Sequence, residues 1–213
     1  MPARDERDTL LIVFAKSPEP GRVKSRLWPV LGKAGAARLQ ARLTLRALAT
    51  ARAADCADVE LCGAPVRSHP FFVRAAAGSG AALHAQGRGD LGLRMRRALE
   101  RGLRRYPRAM LMGSDCPSLT PGRLRAAARA LRGGCDAVFA PAVDGGYALV
   151  GLSRSSPRLF DGIDWGTPRV MEQTRQRLRM LGWRWRELPP VWDIDRPEDY
   201  ARLLRSGLLD RAP

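Results

Sequence analysis

Leu10 to Leu27, LLIVFAKSPEPGRVKSRL, is the stretch on which the reading of the fold turns. Leu10 to Ala15 is a near-continuous apolar run containing β-branched Ile12 and Val13. A short run of this kind bounded by turn signals predicts a strand buried on both faces. Pro18, Pro20 and Gly21 then forbid both helix and strand, so the chain turns. The turn carries Lys16, Arg22, Lys24 and Arg26. A buried strand that ends in a cationic, Gly/Pro-shaped loop and feeds a helix is a common way for α/β proteins to hold phosphate. Lysine usage sharpens the signal. Of 37 Lys+Arg, only Lys16, Lys24 and Lys33 are lysine, and two of them fall here. A compact ammonium suits a point contact with phosphate oxygens. The plain alternative is a solvated basic turn.

The chain of 213 residues fits one domain, read as 1–213 with flexible ends at 1–8 and 207–213. Hydrophobic residues make up 45% and charged residues 27%, enough for a sizeable core. The formal net charge of +16 invites a nucleic-acid partner. The arginines, however, spread along helical segments such as Arg94–Arg105 and Arg123–Arg132, with no basic block interleaved with aromatics. A generally basic surface with one anion site is the better reading, and nucleic acid is disfavoured. Cys56, Cys62, Cys116 and Cys135 form no C-x-x-C pair, and His69 and His84 stand apart from them, so no zinc spacing exists. No apolar run reaches membrane length and the charged N-terminus has no leader pattern, so the expectation is a reduced, cytoplasmic protein without a membrane partner.

Beyond the first loop, Ala34–Ala54 reads as an amphipathic helix and Val59–Cys62 as a strand. A short helix around Phe71 and Phe72 and a weak strand within Gly78–Gly89 follow. Asp90 is placed to cap a helix through Arg105. Ala109–Met112 is a strand, and Thr120 with Pro121 starts a helix through Leu131. Ala137–Ala140 and Tyr147–Leu152 are strands, Pro168–Leu181 a helix, Trp183–Leu188 a strand and Glu198–Leu204 a last helix. Alternation of this kind implies a largely parallel sheet covered on both faces, with ligands outside the carboxyl ends of its strands.

Carboxylates recur just after those strands: Asp115, Asp144, and the pair Asp193 and Asp195. In an extended Trp192–Asp195 segment the pair would share one side, since strand side chains alternate faces. Cations and carboxylates beside a phosphate site suggest a hard divalent ion, as Mg²⁺ takes one or two carboxylates plus phosphate oxygens. Each carboxylate also has a structural alternative: Asp115 in a turn before Pro117, Asp144 opening a Gly-Gly turn, and Asp195 capping the helix from Pro197 with Glu198 as its N3 partner.

A set of motifs then carries a family resemblance: Phe14-Ala15-Lys16, Pro20-Gly21, Val23-Lys24-Ser25-Arg26-Leu27, Gly89-Asp90-Leu91-Gly92, Gly113-Ser114-Asp115-Cys116-Pro117, Asp144-Gly145-Gly146-Tyr147, Trp165-Gly166-Thr167-Pro168 and Asp193-Ile194-Asp195-Arg196-Pro197-Glu198-Asp199. From residue 9 to about 204 the chain resembles the DUF2064-like rSAM/selenodomain-associated transferases, also labelled arsenosugar-biosynthesis glycosyltransferases. The resemblance implies the GT-A (nucleotide-diphospho-sugar transferase) fold, an α/β three-layer sandwich with a mostly parallel mixed sheet. It implies Asp115 and Asp195 as ligands of Mg²⁺ or Mn²⁺, and Ala15, Lys16, Gly21, Lys24, Arg26, Gly113 and Asp115 around the nucleotide. Gly145, Gly146, Tyr147, Trp165 and Thr167 fall on the acceptor side, with Asp144 and Lys24 in catalytic roles. The G-x-G-x-R loop of many sugar nucleotidyltransferases is missing.

The expected activity is therefore metal-dependent transfer from a nucleotide-activated donor to a small-molecule acceptor. Glycosyl transfer from a nucleotide sugar is the first reading, with Asp144 activating an acceptor hydroxyl. Nucleotidyl transfer from a nucleoside triphosphate with pyrophosphate release, as in guanylyltransferases, is the second. A basic nucleic-acid binder is the third.

Overall fold

The structure, a computed structural model, describes residues 8–209. β1 (Thr9–Lys16) is buried along its length except at Lys16. Its side chains alternate as the pleat requires. Leu11, Val13 and Ala15 enter one hydrophobic cluster, while Leu10, Ile12 and Phe14 enter the cluster on the opposite face. This is the two-faced burial that the apolar run predicts.

β1 is flanked in parallel by β2 (Asp58–Ala64) and β4 (Arg108–Gly113), and β3 (Ala82–Ala85) adds to β2. β5 (Ala137–Pro141), β6 (Tyr147–Leu152) and β7 (Trp185–Glu187) complete a seven-stranded sheet in the order β3-β2-β1-β4-β6-β5-β7. β6 is antiparallel to both β4 and β5, while β7 is parallel to β5. The sheet is thus mixed but mostly parallel, and the antiparallel strand starts at the edge where its neighbours finish. Tyr147 therefore sits beside Pro141 and near Gly113.

One face carries α1 (Trp28–Ala54), α2 (Pro70–Ser79) and α4 (Pro121–Arg132), through Ala47, Leu48, Phe72, Ala75, Leu124 and Ala127. The other carries α3 (Leu91–Leu103) and α5 (Val170–Met180), through Met95, Leu99, Met171 and Leu178. α6 (Pro197–Ser206) joins α1 through Leu203, Leu39 and Leu43. In β2, fully buried Glu60 is ion-paired with Arg101 of α3. Asp90 and Thr120 accept the backbone N–H of Leu93 and Arg123 as N-caps.

Several boundaries differ from expectation. α1 begins at Trp28 rather than Ala34, with Pro29 in its first turn, and breaks at Gly32, where φ is 63°. α5 begins at Val170 rather than Pro168, because Thr167 and the backbone of 164–167 form their own turn. Asp195 does not cap α6. The carboxylate of Asp199 accepts the N–H of Arg196 at 2.8 Å and of Asp195 at 3.2 Å. Within the ends expected to be flexible, 1–8 and 207–213, Asp8 is ion-paired with Arg108 and Arg132, and Leu208 and Leu209 pack against the α1/α6 cluster. Residues 1–7 and 210–213 lie outside the described residues. Among the described residues no helix is long and apolar enough to cross a membrane.

Candidate active site at the carboxyl edge of the sheet

After β7 the chain crosses the carboxyl edge of the sheet as a strap, residues 189–195. Val191 pairs with the β5 end, donating to Pro141 O at 2.9 Å. The carbonyl of Trp192 accepts from the Ser118 hydroxyl at 2.9 Å and the Cys116 thiol at 3.0 Å. Ile194 donates to Asp115 O at 3.0 Å, and its own carbonyl accepts from Lys24 Nζ at 2.7 Å. Lys24 reaches across from the first loop in a left-handed backbone conformation, φ 47°. Its side chain is 5% exposed, and Nζ also lies 3.3 Å from Asp115 Oδ1. The first loop, the turn after β4 and the strap are thus tied together at one point.

Val191 makes the one β-bridge of the strap, so residues 192–195 stand outside the sheet ladder. Ile194 turns into the α1/α6 cluster, and its two neighbours meet different surroundings. Asp195 is ion-paired with Arg26. Asp193 faces a cleft shared with Asp115 and Asp144. Burial, together with the charges of Asp144, Asp115 and Asp195, pushes the Asp193 carboxyl up to about 6.

That cleft, about 290 Å³, lies at the ends of β4, β5 and β6. Gly113, Asp115, Asp144, Gly146, Tyr147, Trp165 and Thr167 line it, so it gathers most of the residues expected on the acceptor side. Tyr147 packs edge-on between Phe139 and Trp165, with centroid distances of 5.1 Å and 6.3 Å, and burial raises its phenol above the ordinary range. Trp165 can lie this close to α3 because residue 92 is glycine. A Cβ there would stand 2.3 Å from Trp165 Nε1. Gly145 does not line the cleft but shapes its wall, with φ 90° and the Pro168 carbonyl against it. Asp144 Oδ1 accepts the N–H of Gly146 at 2.9 Å, so this side chain closes the Gly-Gly turn while it borders the cleft.

A second cleft, about 450 Å³, lies at the ends of β1, β2 and β3 and is lined by Lys16, Arg22, Arg88 and Arg94. Sequence reasoning places Lys16 here but does not single out Arg88 or Arg94 as site residues. The available signal was position: Arg88 stands between Gly87 and Gly89, both at positive φ, just past a strand end. Arg94 is aimed by buried Gln86, whose Oε1 accepts from it at 2.9 Å while its Nε2 bridges the carbonyls of Ala15 and Cys62. Ala15 is therefore support beneath the cleft, and Gly21 shapes the loop at φ 80° without lining either cleft. Lys24 and Arg26, expected on phosphates, are ion-paired with Asp115 and Asp195.

Among the described residues no three His, Cys, Asp or Glu side chains converge as a ready cage for a metal. The donors gathered here are carboxylate oxygens whose mutual repulsion is visible at Asp193. This donor set suits a hard cation that completes its shell with water and phosphate oxygens.

Residues 47–167 match the family described as "Uncharacterized protein conserved in bacteria (DUF2064)". A protein of Desulfovibrio desulfuricans G20, provisionally described as a nucleotide-diphospho-sugar transferase, is 33% identical, covers 94% of this chain and 87% of its own, and superposes with a TM-score of 0.85. A cytidylyltransferase from Leptospira borgpetersenii is 14% identical over 97% of this chain and 88% of its own, with a TM-score of 0.60. Glucosyl-3-phosphoglycerate synthase from Mycobacterium tuberculosis, in complex with Mn²⁺, UDP and glucosyl-3-phosphoglycerate, is 13% identical over 98% of this chain and 81% of its own, with a TM-score of 0.57. At such identities the last two speak for the fold alone. No curated protein matches the sequence. The family match over more than half the chain, and the one-third identity along nearly all of it, show that the chain belongs to the DUF2064 family with the fold of the nucleotide-diphospho-sugar transferases.

Proposed function

We propose that the protein transfers a glycosyl group from a nucleotide sugar to a small-molecule acceptor, with the nucleotide phosphates in the cationic cleft and the acceptor in the acidic one. The observation that carries this is the opposed charge of two neighbouring clefts at one sheet edge, with the Lys24–Asp115 pair bordering the acidic one. Four cations face an anionic donor, and apolar and carboxylate groups face the other reactant. The relative at 33% identity, described as a nucleotide-diphospho-sugar transferase, supports the same reading.

In this scheme Lys16, Arg22, Arg88 and Arg94 bind the diphosphate and offset the charge that builds on it as the glycosyl bond breaks. Asp115 and Asp195 would hold Mg²⁺ or Mn²⁺, which supplies Lewis-acid stabilisation to the departing phosphate when bound. Lys24 and Arg26 keep those two carboxylates in place. Asp144, with Oδ1 fixed by Gly146, uses its other oxygen to accept the acceptor's proton. Tyr147, Trp165 and Thr167 orient the acceptor.

Nucleotidyl transfer is kept as a second reading because the cationic cleft would accommodate a triphosphate equally well. Calorimetry with nucleoside diphosphates and triphosphates in Mg²⁺ or Mn²⁺ tests the site, comparing the parent with Arg88→Ala and Asp115→Asn. Weaker binding is expected in the first variant, and loss of the metal enhancement in the second. Release of nucleoside diphosphate rather than pyrophosphate selects glycosyl transfer. Unaltered nucleotide affinity in both variants would sink the assignment.

A further inference from the structure

Resting on that transferase reading, we infer that the acceptor carries no phosphate or other anionic group. It presents a hydroxyl beside an apolar face, as an alkyl or aryl glycoside does. The chain has 37 Lys+Arg in 213 residues and a net charge of +16, yet among the described residues not one lysine, arginine or histidine lines the acidic cleft. The neighbouring cleft, at the same sheet edge, is lined by four. The general basic habit of the sequence is thus interrupted in this cleft.

The negative side is just as specific. Lys24 offsets Asp115 and Arg26 offsets Asp195, while Asp144 and Asp193 have no ion-pair partner among the described residues. An acceptor phosphate would enter a confined space against two uncompensated carboxylates, with no guanidinium or ammonium in the lining to receive it and the bordering Lys24 already engaged by Asp115 and the Ile194 carbonyl. Like charges held close in a partly desolvated site disfavour ionisation of either one. A divalent cation held by Asp115 and Asp195 would offset those two carboxylates and leave Asp144 and Asp193 without a partner. A hydroxyl, by contrast, is a donor that suits a carboxylate acceptor.

The remaining wall says what accompanies that hydroxyl. Met95, Leu91, Val170 and the rings of Tyr147 and Trp165 supply the apolar part of the lining, beside the carboxylates of Asp115, Asp144 and Asp193. Trp165 is set against Tyr147 and closely over Gly92, so its face is a fixed surface rather than a free rotor. Aromatic and carboxylate groups in one cleft favour a ligand with an apolar part and a hydroxyl. Nucleotidyl transfer onto an acceptor phosphate does not fit this lining.

The test compares matched probes: phenyl and octyl β-glucoside against phenyl glucoside 6-phosphate, glucose 6-phosphate and 3-phosphoglycerate. Binding is read by saturation-transfer NMR with and without a saturating nucleoside diphosphate and Mg²⁺. Neutral probes are expected to bind, with their phosphorylated counterparts at least tenfold weaker. Leu91→Lys, at the exposed rim, is expected to narrow that gap, and Leu91→Gln to leave it. Phosphorylated probes that bind as well as the neutral ones, or a panel in which no neutral probe binds, would overturn the inference. Nucleotide binding is scored in the same samples. Its absence would count against the transferase reading, while the preference of the acidic cleft is still read from the nucleotide-free set.

Discussion

Asp193 and Lys24 show how much of this site is electrostatic. An aspartate ordinarily titrates near 3.8, and burial with three neighbouring carboxylates raises Asp193 to about 6. Between those values the folded chain binds the extra proton, so the contribution of Asp193 to stability falls as pH rises from about 4 to about 6 and then levels. Asp193→Asn should abolish that fall and be more stable than the parent above pH 6. Unfolding midpoints measured against pH in a chelating buffer check this, and parallel curves for the two proteins would refute it. Lys24 tests the opposite sign. Being 5% exposed and bonded to the Ile194 carbonyl, it is a clasp rather than a free loop cation. Lys24→Ala leaves that carbonyl without this donor and Asp115 without its ion-pair partner, and should lower stability by roughly 1–3 kcal/mol in urea titration. The sequence shows a cationic loop but not which cations are spoken for. Lys24 and Arg26 are engaged by partners about 90 and 170 positions away, a pairing that local pattern does not encode.

At the scale of elements, most strands and helices are legible because each has its own punctuation. Asp90 and Thr120 cap their helices as their side chains dictate, and β1 is buried on both faces as its run of apolar residues requires. What local signals did not convey was direction and partnership. β6 resembles the parallel strands of the sheet in composition, yet the short turn 142–146 can only return the chain antiparallel alongside β5. The cationic cleft was half legible for a similar reason: Lys16 announces itself at a strand end, whereas Arg88 and Arg94 reach the cleft through a turn and a helix that only the sheet order brings beside β1. The packing of the 163–168 loop on α3 yields a further expectation. In Gly92→Ala a methyl would collide with the Trp165 indole. The ring must move, which should cost about 1–3 kcal/mol and weaken acceptor binding without altering nucleotide affinity. Tryptophan fluorescence and calorimetry separate the two effects. An unchanged acceptor affinity would remove Trp165 from the cleft wall's working parts.

For the molecule as a whole, a nucleotide that bridges the loop, the β4 turn and the strap ought to stabilise the native state. At a concentration 100 times Kd, binding adds about 2.7 kcal/mol, which in a domain of this size raises Tm by roughly 5–10 °C. Differential scanning fluorimetry with nucleoside diphosphate and Mn²⁺ should show that rise, and chelation should reduce it. No rise with any nucleotide would count against the site. The strap also has a consequence for how the protein comes into being. Every strand of the sheet has been synthesised once Glu187 is reached, but Lys24 and Asp115 wait for Ile194, and Arg26 waits for Asp195. A nascent chain therefore holds its complete sheet sequence before it holds a finished site. On the proposed function, turnover of the donor is expected only from chains that extend past Asp195, and fragments that end before Ile194 are expected to be inactive.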